Sequence, residues 1–225
     1  MVEVIVIAEG QTEEQFIKRL VAPALRHLQV YVKPQMLYTS KDSKGGAINF
    51  DRLKFNVRNT LRSKPEVILS TFLDLYGLAT DFPKLEEAKQ KKDVYARVTC
   101  LEIALQEVLI EETGCQNYRF LPHIQPYEFE GLLFSDVEAL TGIEPSWNTC
   151  LIGLDKVRSK FESPEHINDG YETKPSKRLE NLLHPKYHKT RHGPLAAERI
   201  TLAVMERECT HFRGWMDMLR GLAIS

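Results

Sequence analysis

Two runs of apolar residues, Val4-Ile5-Val6-Ile7 and Val67-Ile68-Leu69-Ser70-Thr71-Phe72-Leu73, constrain the fold more than any other feature of this chain. Both are nearly continuous in apolar character, as strands covered on both faces are. Each runs directly into an acid and a glycine turn: Ala8-Glu9-Gly10 after the first, Asp74-Leu75-Tyr76-Gly77 after the second. Segments of helical spacing follow the first strand and separate the two. The alternation of strand and helix from residue 1 to about 136 implies right-handed crossovers and a mostly parallel sheet flanked by helices, an α/β fold of Rossmann-like type. In such sheets the carboxyl ends of the strands form the rim where ligands bind. Glu9 and Asp74 both fall on that rim. Each also has a reading without function: Glu9 as a carboxylate favoured at a helix N-terminus, Asp74 as a cap or turn residue.

The order of elements follows from spacing. Thr12 and Gln15 have the form of a capping box, which predicts a helix beginning at Glu13 and running through Phe16 to Leu28. Val30 to Tyr38 reads as a second strand, placed at an edge or made irregular by Pro34. Ser40 to Gly46 is a polar loop. Its Lys41, Lys44 and Gly45-Gly46 could cradle a phosphate or simply face solvent. Phe50, Leu53, Val57 and Leu61 mark a helix, with Lys54, Arg58 and Arg62 on its other faces. Val94 to Val108 marks a long helix ending near Gly114. Tyr118 to Gln125 reads as a fourth strand, followed by Pro126 to Asp136, where Glu128 and Glu130 sit in an apolar run. These two acids point the same way only if that stretch is extended; in a helix they diverge by about 200°. One ligand is then the safer assignment, and Glu128 is preferred. Acids in the first turn of a helix are the plain alternative. The remainder reads as helical, over 151–161, 175–183, 195–205 and 212–222, with a turn at Asn168-Asp169-Gly170. Residues 1–140 are expected to form the α/β domain and 141–225 a helical extension packed on it.

Composition excludes several classes. The 225 residues are 43% hydrophobic, with a net charge of -1. No global basic field advertises nucleic acid or an acidic membrane. The four cysteines form no C-x-x-C pair, which argues against a zinc ribbon or disulfide framework and fits a reducing cytoplasm. No apolar run approaches the roughly 18 residues that cross a bilayer, and Met1-Val2-Glu3 lacks a basic leader. A local basic stretch does exist: Lys174, Lys177, Arg178, Lys186, Lys189 and Arg191 could contact the phosphates of a nucleic acid, or form a solvated surface. His184, His188 and His192 are interleaved with it at helical spacing, but Pro185 and Pro194 break the helix a zinc site would need.

Glu9-Gly10-Gln11-Thr12-Glu13, Asp74-Leu75-Tyr76-Gly77, Gln125 to Asp136, Ile167-Asn168-Asp169-Gly170 and Cys209-Thr210-His211-Phe212-Arg213-Gly214-Trp215 form an ordered set spanning nearly the whole chain. In that set the chain resembles an uncharacterised bacterial family, domain of unknown function 4276, of TOPRIM type. That fold is shared by topoisomerases, primases and the nucleases of the overcoming-lysogenization-defect group. The resemblance implies a glutamate after the first strand and a D-x-D after a later one, together binding Mg²⁺ or Mn²⁺ for phosphodiester chemistry. Glu9 matches the glutamate and Asp74 the first aspartate; Tyr76 stands where the second would be. That departure puts an unmodified topoisomerase or primase activity in doubt. The resemblance also implies extra acids, for which Glu13 and either Glu128 or Glu130 are in position, and an ABC-type ATPase as partner in a bacterial defence module. The expectation is a metal-dependent nuclease acting on DNA or RNA. A catalytically silent subunit that binds an ATPase or a nucleotide, and a small-nucleotide phosphohydrolase, are the alternatives.

The physical case for a metal does not need the family. Glu9, Asp74 and a glutamate from 128–130 on one rim would repel one another, and without a cation at least one would be protonated near neutral pH. Carboxylates without His or Cys select Mg²⁺ or Mn²⁺ over zinc.

Overall fold

A computed structural model describes residues 1–37, 47–168 and 170–223. The polar loop read at Ser40–Gly46 and the turn residue Asp169 therefore lie outside the described residues. Strand β1 (Val2–Ala8) is central. It pairs in parallel with β2 (Val30–Met36) on one side and β3 (Ile68–Asp74) on the other. The outer edge of β3 carries two short parallel partners, β4 (Phe120–Leu121) and β5 (Ile124–Gln125). The order is thus β2-β1-β3-β4, with β5 also on β3. The single fourth strand expected over Tyr118–Gln125 is interrupted at Pro122-His123. Pro122 has no N–H to give the ladder, and the Thr71 hydroxyl takes over there, accepting from the His123 N–H at 2.8 Å and donating to its carbonyl at 2.9 Å.

Alternation along β1 divides the core. Val4, Val6 and Ala8 face one layer, Ile5 and Ile7 the other. The second layer is built from α3 (Phe50–Ser63) and α5 (Val94–Thr113). Asn49 and Asp93 cap their N-termini, and α5 ends on Gly114 in the left-handed conformation. Between these two helices comes the short α4 (Leu85–Lys89).

The first layer begins with α1 (Gln11–Phe16), which passes through a π-helical turn, Ile17–Val21, into α2 (Ala22–Arg26). After β5 the chain supplies α6 (Val137–Thr141), α7 (Leu151–Arg158), α8 (Pro175–Leu182), α9 (Lys189–Ile200), α10 (Leu202–Glu208) and α11 (Thr210–Arg220). Residues from these helices join Val4, Phe16 and Phe72 in one core cluster, so the C-terminal part completes the same core as the sheet. The helix expected over 195–205 is divided at Thr201, whose φ of 74° no α-helix accommodates. No helix among the described residues is long and apolar enough to cross a membrane.

Candidate metal-binding pocket

The chain crosses from the β2 side of β1 to the β3 side, so β1 and β3 flank the switch point of the sheet. Their register pairs Ala8 with Phe72, so Glu9, just past β1, and Asp74, the last residue of β3, fall at adjacent strand ends on the rim. Both line a cavity of about 220 Å³, together with Tyr76, Glu128, Lys174 and Lys189. Gly77 is required there because a Cβ would overlap the Glu9 carboxylate.

The helix after Glu9 starts differently from the capping-box reading. Gly10 is the N-cap and α1 begins at Gln11. The Glu13 carboxylate lies back against Gly10, whose backbone favours its charged form. Glu13 is the third residue of the helix, where an acid can satisfy an otherwise free N–H. The same act turns its charge toward Glu9, which it destabilises. Gly193 allows α9 to approach α1 closely, since a Cβ there would lie 2.9 Å from Thr12 Cγ2. Lys189, the first residue of α9, is thereby brought to the acids.

Glu128 and Glu130 arrive from the other side of the pocket. Tyr127 adopts a φ of 56°, rare for a residue with a Cβ, and Glu128 follows in extended conformation. A 3₁₀ helix, Phe129–Ser135, begins immediately after it. The two acids do not diverge as they would in an α-helix: both face Lys189, whose Nζ lies 3.1 Å from Glu130 Oε2 and 3.7 Å from Glu128 Oε1. Glu128 also accepts from Lys174 Nζ at 2.7 Å and from the Ser176 N–H at 3.0 Å. Tyr187 donates to Glu130 at 3.4 Å.

Five carboxylates and two ammonium groups thus lie in the pocket or beside it, and their protonation separates them. Burial pushes the Glu9 pKa up to about 7, with the Glu13 charge adding to it. Burial and then the charges of Glu9 and Glu13 hold the Asp74 pKa well above the ordinary carboxylate value. Glu13 is raised by burial as well. Glu130 rises to about 7, burial outweighing Lys189. Glu128 alone is lowered: burial works against it, but Lys189, Lys174 and Ser176 together prevail. The lysines therefore hold Glu128 as a carboxylate, whereas burial holds Glu9, Glu13, Asp74 and Glu130 toward the protonated form. Glu9 Oε2 is buried with no hydrogen-bond partner, an orphaned acceptor at the strand end. A hard divalent cation is the group that an orphaned carboxylate oxygen beside two further raised carboxylates fits.

The basic stretch is distributed differently from a phosphate-binding surface. Lys174 and Lys189 are in the acidic pocket. Lys177 and Lys186 bracket Glu180 at 3.1 and 3.4 Å, and Arg191 pairs with Glu144 at 2.9 Å. Arg178 donates to the Thr173 carbonyl and lies over the Phe161 ring. The histidines of this stretch do not converge as ligands: His192 Nδ1 accepts from the His188 N–H, and its Nε2 is 3.6 Å from Glu144.

Sequence reasoning missed a second cluster. Glu102 on α5, His123 beside β5 and His211 on α11 are, among the described residues, the group of three whose ligand atoms all lie within 4.8 Å of one another. No three acids of the pocket meet that condition among the described residues. His211 belongs to the Cys209–Trp215 motif, but its partners are remote in sequence. Asn168, from another of the quoted motifs, donates to the Tyr76 hydroxyl and so fixes the aromatic wall of the pocket.

Residues 8–220 match the model of a family described as domain of unknown function (DUF4276). No curated protein and no solved structure matches the chain.

Proposed function

The chain belongs to the DUF4276 family, and from the pocket of this family member we propose metal-dependent hydrolysis of a phosphodiester, with Mg²⁺ or Mn²⁺ as cofactor and nucleic acid as substrate. One observation carries the proposal: the convergence of Glu9, Glu13 and Asp74 at the switch point, with Glu9 Oε2 buried and unpartnered. Glu9 and Asp74 are the proposed ligands, with Glu13 within reach of a second ion. Glu128 and Glu130 hold the two lysines in place. A divalent ion in this pocket would supply an acidified water and neutralise the charge of the phosphate.

The remaining groups suit a nucleotide. Lys174 and Lys189 stand at the mouth, where an entering phosphate can share their ammonium groups with the glutamates. Tyr76, 42% exposed, forms part of a second cavity of about 180 Å³ next to the acidic one. That cavity adds Leu75, Leu78, Tyr127 and Arg97, an apolar and aromatic wall with a cation, suited to stacking an unpaired base. This feature favours nucleic acid over a bare phosphate ester. The TOPRIM grouping is supported by the position of Glu9 after β1 and Asp74 at the end of β3; Tyr76 in place of a second aspartate is a departure that gives the pocket its base-stacking wall. The ATPase partner and the defence setting rest on the resemblance alone.

The test is a titration of Mg²⁺ and Mn²⁺ against plasmid DNA, tRNA and free nucleotides, using the wild-type chain, Glu9→Gln and Asp74→Asn. Metal-dependent cleavage that both substitutions abolish is the expected result. Cleavage surviving both, or a chain that binds neither ion, would sink the proposal.

A further inference from the structure

We infer that Glu102, His123 and His211 form a second metal site that takes a zinc-class divalent ion through two imidazoles and one carboxylate. The observations are independent of the acidic pocket. His211 Nε2 lies 2.8 Å from Glu102 Oε1, and His123 Nδ1 lies 3.7 Å from the same oxygen. His123 Nε2 is 3.3 Å from Gln125 Oε1, while the Gln125 amide nitrogen donates to Glu165 at 3.4 Å. An amide oxygen only accepts, so Nε2 carries the ring proton of His123. Nδ1 then carries the lone pair, 3.7 Å from the Glu102 carboxylate oxygen, and the two imidazoles lie stacked with centroids 5.0 Å apart. His123 is 1% exposed, so its ring is fixed within the core. In the metal-free chain the His211 N–H donated to Glu102 Oε1 occupies the space between the three groups that a metal ion would take.

The surroundings are those of a ligand set held by outer partners. Glu165, fully buried, accepts from Tyr95 at 2.9 Å, from Gln125, and from the backbone N–H groups of His211 and Phe212 at 3.0 Å each. It thus anchors both the first turn of α11 and the amide that orients His123. Glu102 is positioned by the Ile124 N–H, which donates to Oε1 at 2.7 Å. His123 stacks on Trp215, with ring centroids 5.1 Å apart. Outer contacts of this kind fix the tautomer and direction of metal-binding histidines. Two nitrogens and one carboxylate oxygen favour zinc and its neighbours over Mg²⁺. The three residues also border a cavity of about 330 Å³, which leaves a coordination position open to water. Three protein donors with an open position match the arrangement of a reactive zinc site, not a closed structural one.

The experiment uses the full chain, stripped with a chelator and held in excess Mg²⁺ to occupy the acidic pocket. Co²⁺ is titrated in and read by its visible ligand-field absorption, then displaced by Zn²⁺, and retained zinc is counted by elemental analysis. One equivalent of Co²⁺ in a low-symmetry site, displaced by zinc and unchanged in Glu9→Gln, is expected. His211→Asn and Glu102→Gln should each weaken it by at least about tenfold. Glu102→Gln keeps an acceptor for the Ile124 N–H, so it reports on the ion and not on folding. Absence of the cobalt spectrum, or binding untouched by His211→Asn and lost in Glu9→Gln, would overturn the inference while leaving the acidic pocket to its own test.

Discussion

The backbone at Asp74, the last residue of β3, lies close enough to the Glu9 carboxylate to favour its charged form, so the two strand ends are coupled there. The Asp74 side chain in turn accepts from the Phe129 N–H at 2.8 Å. Asp74 is thereby locked in direction by main chain before any ion arrives. Preorganisation of this kind means that substitution at either position acts on binding more than on folding. Glu9→Gln and Asp74→Asn are each expected to lower Mn²⁺ affinity by on the order of 10–100-fold or more. Because each also removes a repelling charge, the metal-free variants should melt no lower than wild type above neutral pH. Calorimetric titration and thermal melts on the same samples check both halves.

The raised carboxyls make metal-free stability depend on pH in a definite sense. A carboxyl whose folded pKa exceeds its ordinary value keeps a proton that the unfolded chain has already released. Between the ordinary 4.5 and the folded value of about 7 for Glu9 and Glu130, the native state binds more protons. Stability therefore falls as pH rises through that window and stays lower above it. A loss of 1 kcal/mol moves the melting midpoint by roughly 2–4 °C in a chain of this size. Melting curves from pH 5 to 8 in a chelator should show the decline, and Mn²⁺ should reverse more of it at pH 8 than at pH 5. A midpoint that climbs steadily over this range without metal would contradict the arrangement of charges.

Gly77 tests the geometry from the opposite side. A Cβ at that position overlaps the Glu9 carboxylate, so Gly77→Ala must displace either the acid or the turn. Overpacking of this kind costs about 1–3 kcal/mol. Loss of Mn²⁺ binding together with a lowered midpoint is expected. Unchanged ion affinity in a folded Gly77→Ala would show that Glu9 is not a ligand in its present position.

Some of this arrangement could be read before any coordinates, and the physical reason differs by element. β1 and β3 were visible because a strand covered on both faces must be apolar throughout, and the acids that follow them mark the rim automatically. The fourth strand was placed correctly along the chain, yet its break at Pro122 depends on the Thr71 hydroxyl, a tertiary partner. The helix start was misjudged because Thr12-x-x-Gln15 and Gly10-x-x-Glu13 compete for one end, and local spacing cannot choose between them. Lys174 and Lys189 read from the sequence only as part of a basic stretch, phosphate-contacting or solvated, because only the fold brings Glu128 and Glu130 to them. Glu102 and His211, 109 residues apart, carry no local signal of their meeting.

Tyr76 offers a way to separate substrate recognition from metal binding. Its ring packs against Tyr127 at 5.4 Å and lies 6.0 Å from Lys174 Nζ, while its hydroxyl is held by Asn168. The ring walls both the acidic cavity and its neighbour, so a base placed on it would set its phosphate before Glu9 and Asp74. Stacking on an aromatic side chain contributes about 1–3 kcal/mol per base. Tyr76→Ala should therefore weaken a single-stranded oligonucleotide by about 5–150-fold, measured by fluorescence anisotropy in Ca²⁺. Mn²⁺ affinity should be unchanged, because no ligand is removed. Tyr76→Phe keeps the ring and loses only the bond to Asn168, and should bind nearly as wild type. Equal affinity of wild type and Tyr76→Ala for the single strand would place the base elsewhere and leave the second cavity without a role in recognition.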